Sequence, residues 1–169
     1  LGKKKMGKKV LGAALALVML LLLPGVSHAL TGQQEALVGL EGVQVVVEGP
    51  GPEAERLGLS KNQIKTDVEQ RLRKAGVRVL TNKEPAPRTP HLYVKISASI
   101  NKMGIFAYSI NVDLMEIVTL FTGEKAFATV WEKGEAGSVG LNYINQIQPR
   151  IDSLIDKFIN DYLAANPKR

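Results

Sequence analysis

Apolar and polar positions divide the first 30 residues into three zones: a cationic opening with Lys3, Lys4, Lys5, Lys8 and Lys9, an uncharged apolar run from Val10 to Leu23, and a short tail closed by Ser27-His28-Ala29. This is the plan of a secretory signal, with small side chains at the two positions a signal peptidase must fit, and it predicts cleavage near Ala29. The alternative is a retained anchor. An apolar run of 14 residues rises only about 21 Å as a helix, against a hydrocarbon core of roughly 30 Å, and Pro24-Gly25 then break it. The pattern therefore predicts a signal over 1–29, a lead-in segment over 30–42, one domain over 43–169, and no permanent membrane anchor after cleavage.

Within the domain, the β-branched run Val43 to Glu48 reads as a strand, and its apolar character on both faces suggests an interior one. Ser60 with Gln63 makes a capping box, and Leu59 with Ile64 a hydrophobic staple. Ile64, Val68, Leu72 and Ala75 then share one helical face. Gly76 stops that helix in a Schellman-type turn that leads directly into a second strand, Val77 to Leu80. Strand, helix and strand in this order predict a right-handed crossover with the strands parallel.

After a proline-rich connection, strict alternation from His91 to Ile100 predicts a half-buried strand. A long strand follows from about Ile105 to Phe121, burying Phe106, Tyr108, Ile110, Val112 and Leu114. Thr122 to Lys125 is the hairpin turn, and Ala126 to Lys133 returns as the last strand. The glycines at 134, 137 and 140 read as a flexible connection. Asn142 then opens a final helix with one apolar stripe from Ile144 to Tyr162. Pro149 interrupts that stripe, predicting either a kinked helix or a helix whose first turn contains Pro149; the unbroken stripe favours the kink. The element order β-α-β-β-β-β-α predicts an α+β fold, a mixed α/β sandwich with one mixed sheet of about five strands and two helices packed on one face.

Charge changes meaning once the signal is set aside. Five of the 22 basic residues and none of the 16 acidic ones precede Leu30, leaving 17 against 16, or +1. A nucleic-acid partner loses its main argument, which is a basic face of Lys and Arg contacts to phosphate. The sequence has no cysteine, which removes disulfides, thiolate chemistry and zinc-thiolate sites, together with the acylated cysteine of a bacterial lipoprotein. The expected location is the periplasm or the medium.

The signal followed by Gly42-Val43-Gln44-Val45-Val46-Val47-Glu48, the helix end Asp67-Val68-Glu69-Gln70-Arg71-Leu72-Arg73-Lys74-Ala75-Gly76, and the closing Phe158-Ile159-Asn160-Asp161-Tyr162-Leu163 resemble a group of small exported bacterial proteins of unknown function. More loosely, the element order is similar to small α/β domains of envelope assembly and secretion factors, such as the N-terminal domain of the Tol-Pal translocation protein. Neither resemblance implies a catalytic motif.

Candidate chemistry is sparse. His91 is the one histidine after the signal, without a sequence-adjacent carboxylate to orient it, so a strand-edge role outweighs a catalytic one. No metal-ligand spacing occurs, no metal or other cofactor is expected, and no catalytic residue is assigned. Gly134 to Gly140 lacks the lysine of a phosphate-binding loop. The last hairpin exceeds this background. With Leu120 paired to Phe127, Val118 to Thr129 and Glu116 to Trp131, one side continues the core, while the other shows Met115, Ile117, Phe121, Ala126, Ala128 and Val130. Helices on one face cannot cover both sides. Cover must come from the lead-in segment (Ala36, Leu37, Val38, Leu40) or from a partner, because monomers rarely expose large apolar patches.

These readings point to a non-enzymatic binding or assembly module whose partner face includes Met115, Ile117, Phe121 and Val130, the partner being an envelope protein or a second copy. Two other classes compete. A hydrolase would need a carboxylate pair drawn from Asp113, Glu116, Glu132 and Glu135 in a pocket, and a carrier would hold a small apolar ligand between sheet and helices.

Overall fold

A computed structural model describes residues 29–81 and 89–167, so the signal expected over 1–29 lies, except for Ala29, outside the described residues. In chain order the elements are α1 (Gly32–Glu35), β1 (Gln44–Glu48), α2 (Pro52–Arg56), α3 (Lys61–Lys74), β2 (His91–Ile100), β3 (Ile105–Thr119), β4 (Lys125–Gly140), a 3-10 turn (Leu141–Gln146) and α4 (Ile147–Ala165). The sheet runs β1-β2-β3-β4, with β1 parallel to β2 and the other pairs antiparallel. This is the α+β class expected, with four strands in the sheet rather than about five.

The missing strand is Val77 to Leu80. It touches β1 through one parallel bridge, Val43 to Val79, held by Val43 N–H to Arg78 O at 3.0 Å and Leu80 N–H to Val43 O at 2.8 Å. Two backbone bonds do not propagate a ladder. β1 is consequently an end strand, reinforced only at its start, and not the interior strand its apolar run suggested.

Local signals set the first long helix. Ser60 Oγ accepts from the Gln63 N–H at 3.4 Å, but the Gln63 side chain donates to Asp67 instead of returning to the cap, so the box is half formed. Leu59 and Ile64 are both buried, as a staple requires. At the other end Gly76 sits at φ 85°, and Val77 N–H reaches Leu72 O at 2.9 Å, the long bond of a Schellman turn. Pro52 begins the short helix α2 in the Pro- and Gly-rich stretch after β1; proline is tolerated there because the first-turn N–H has no partner to lose.

One core fills the space between sheet and helices. Val45, Val47, Leu92, Val94, Ile96, Phe106, Ile110, Val112 and Leu114 meet Ile64, Val68 and Leu72 of α3 and Ile151, Leu154, Ile155 and Phe158 of α4. Arg71 joins the two helices, reaching Asp156 at 2.9 Å and Asp152 at 3.0 Å; these partly exposed pairs add little beyond registry.

Three readings of the C-terminal third change. β4 continues through Gly134 and Gly137 to Gly140 instead of loosening into a connection. A side chain at Gly137 would meet the Tyr108 phenol at 2.7 Å, so the glycine lets that ring lie across the strand. Leu141–Gln146 is a separate 3-10 segment, with Tyr143 outside helical geometry (φ −115°, ψ 17°). Pro149 accordingly falls in the first turn of α4 and does not kink a longer helix.

Candidate docking surface

β3 and β4 outrun their neighbour. β2 pairs with β3 only as far as His91 opposite Met115, whereas β3 and β4 stay paired to Thr119 opposite Lys125. The last turns of this hairpin form a two-stranded ribbon beyond the sheet. A β-bulge sits at its root: Leu114 pairs with Trp131, and the next residue, Met115, pairs with Thr129. Val130 is the extra residue. It is partly buried and packs against the core, apart from the face that Met115 and Ile117 share.

The bulge corrects the expected register. Phe127 pairs with Ile117, Ala126 with Val118 and Ala128 with Glu116, in place of Leu120–Phe127, Val118–Thr129 and Glu116–Trp131. One extra residue in a pleat of period two exchanges the faces of everything beyond it. Trp131 stays on the core side where it was expected, now opposite Leu114, while Phe127 swings to the outer face, edge-on to His91 at 5.6 Å. His91 also lies 5.9 Å from Tyr93, and its Nδ1 is buried without a hydrogen-bond partner.

Both sides of the ribbon remain apolar. Met115 is half-buried and Ile117 is 37% exposed. Leu120 and Phe127 are each 45% exposed, and Phe121, at the tip rather than in the strand, is fully exposed. The tip turn is closed by Leu120 N–H to Glu124 O at 2.7 Å, with Gly123 at φ 85°. The lead-in does not provide the cover considered for this face. It packs on the helical side: Leu37 is wholly buried in the core, Gln34 donates to Asp161 of α4 at 2.7 Å, and Lys133 donates to Gln33 at 2.9 Å.

The acidic residues divide between surfaces. Asp113 and Glu132 are cross-strand neighbours on the outer face. Asp113 is only 8% exposed and binds Lys95 at 3.0 Å. That hydrogen bond holds the Lys95 ammonium above its usual pKa, against the opposing effect of burial. Glu135 pairs with Arg150 at 3.2 Å and accepts from Tyr108, whose phenol is pushed up chiefly by burial.

Glu116 lies apart, lining a cleft with Glu41, Arg78 and the lead-in that the sequence does not announce. Its carboxyl is raised above the ordinary range by burial alone. No group of three or more His, Cys, Asp or Glu side chains able to hold a metal occurs among the described residues, and none of their helices is long and apolar enough to cross a membrane.

No family model matches this chain, and no curated protein does. Among solved structures, a minor lipoprotein from Acinetobacter baumannii is similar at 11% identity and a TM-score of 0.29, over 76% of this chain and 92% of that one. The rare lipoprotein B from Shewanella oneidensis is similar at 14% identity and a TM-score of 0.28, over 71% of this chain and 90% of that one. Likeness at this level assigns the chain neither a family nor an activity.

Proposed function

We propose that this chain is an exported, non-enzymatic binding module that docks a protein of the bacterial envelope through the apolar hairpin ribbon around Met115, Ile117 and Phe121. The observation that carries the reading is the exposure of Ile117, Leu120, Phe121 and Phe127 together on a ribbon that leaves the sheet. Isolated two-stranded ribbons are marginal in water, and grouped apolar side chains of this kind mark contact sites. The signal-like opening supports export. Asp113 and Glu132 adjoin on the outer face, where Glu132 is exposed and Asp113 is taken by Lys95, while Glu116 and Glu135 lie in other surroundings, an arrangement that offers a carboxylate mechanism no shared pocket.

The test replaces Ile117 and Phe121 together by Ser. Unfolding stability should change by no more than about 2 kcal/mol, because Phe121 is fully exposed and Ile117, though partly covered, is not one of the buried core residues. A photo-crosslinker at position 119 should capture one discrete envelope protein in cells, and the double variant should lose it. Capture of a second copy would redirect the reading to self-association, checked by sedimentation. A monomer with no captured species, or capture unaffected by I117S/F121S, sinks the proposal.

A further inference from the structure

The cleft beside the lead-in is separate from the ribbon's apolar tip. It encloses about 350 Å³ and is walled by Val38, Leu40, Leu80 and Pro90, with Glu116 and Glu41 as its acidic groups. That volume is at the lower end for small-molecule sites. Glu116 stands opposite Ala128 on the ribbon, so its cross-strand neighbour offers it neither charge nor a side-chain donor. Among the described residues, burial is the one influence on its carboxyl, with no hydrogen bond or cation opposing it. Arg78 also lines the cleft and has interactions of its own.

We infer that this cleft binds a small organic ammonium ion carrying an apolar chain, with the ammonium against the Glu116 carboxylate and the chain against Val38, Leu40, Leu80 and Pro90. A partly desolvated carboxylate without a partner is costly, and a cation brought in by a ligand removes that cost. A neutral ligand of the same shape leaves the carboxyl unpaired, and an anion placed beside Glu116 meets a like charge even though Arg78 also lines the cleft. Binding favours the ionised carboxyl, so affinity rises with pH until Glu116 is fully ionised and then levels off.

Calorimetric titration of the purified protein with hexylamine, hexanol and hexanoate at pH 7 tests this. Hexylammonium should bind at least about ten-fold more tightly than hexanol, the size of one charge-assisted contact, and hexanoate weakest. Glu116→Gln should abolish that preference, while Glu132→Gln on the outer face should keep it. Should Glu116→Gln fail to fold, methyl chemical-shift changes at Val38, Leu40 and Leu80 in the unaltered protein decide the site. Equal affinity for hexylamine and hexanol, a preference that survives Glu116→Gln, shifts confined to other methyls, or no binding at millimolar concentration overturns the inference.

Discussion

Trp131→Ala should lower the free energy of unfolding by about 3–5 kcal/mol, the range for truncating a large buried aromatic. Trp131 is wholly buried and meets Phe158 edge-on at 5.1 Å. Its indole N–H donates to Asp161 at 2.9 Å, and the other oxygen of that carboxylate accepts from Gln34. Truncation therefore opens a cavity, removes an aromatic pair and weakens the clasp that holds α1 on α4. Against a typical domain stability of about 5–15 kcal/mol, this is a large fraction. Since the sequence has 1 Trp, unfolding in urea should be followed by far-UV circular dichroism. A loss below about 1.5 kcal/mol would show that the surrounding side chains collapse into the space.

Gly49→Ala should cost about 3 kcal/mol or more, from two additive sources. The backbone at Gly49 has φ 82°, a left-handed conformation that costs an L-residue about 1–2 kcal/mol. A Cβ there would also overlap the carbonyl oxygen of Ile96 on β2, which cannot swing aside as a side chain does. Relieving such overpacking typically takes a further 1–3 kcal/mol or so. Gly123→Ala is the matched control: its φ is 85°, yet nothing lies within 4 Å of the added carbon, so only the first cost, about 1 kcal/mol, applies. Equal losses for the two variants in denaturant unfolding would remove the close approach at Gly49 from the account.

Much of the fold was legible because its signals are local. Ser60, Leu59 and Ile64 announce the start of α3, and Gly76 its end, through contacts within a few residues. The alternation of Leu92, Val94 and Ile96 is the burial pattern of β2. The α4 stripe likewise appears buried, even though Pro149 serves as a first-turn residue. The apolar excess of the hairpin was legible too, and Ile117 and Phe121 are exposed on it. Its phase was not: Ala126 to Val130 holds nothing charged, so alternation gives no reason to prefer one register, and the bulge opposite Leu114 chooses it. The Glu116 cleft was hidden because its walls come from the lead-in, the Val77–Leu80 segment and β3, which are far apart in sequence.

By itself, the amino-acid order determined the signal-like opening, the near-neutral balance after it, the kinds of element and most of the residues that face inward. Those follow from side-chain size, polarity and backbone preference acting over one or two helical turns. Tertiary structure decided what depends on partners distant in the chain. Val77 to Leu80 stops at a bridge, Gly134 to Gly140 joins β4 because Tyr108 and Asn111 occupy the space a side chain would fill, and Leu37 draws the lead-in onto the helices. Each of these is settled by whether a surface presented by another element matches in shape and polarity, and that match is absent from any short window of residues.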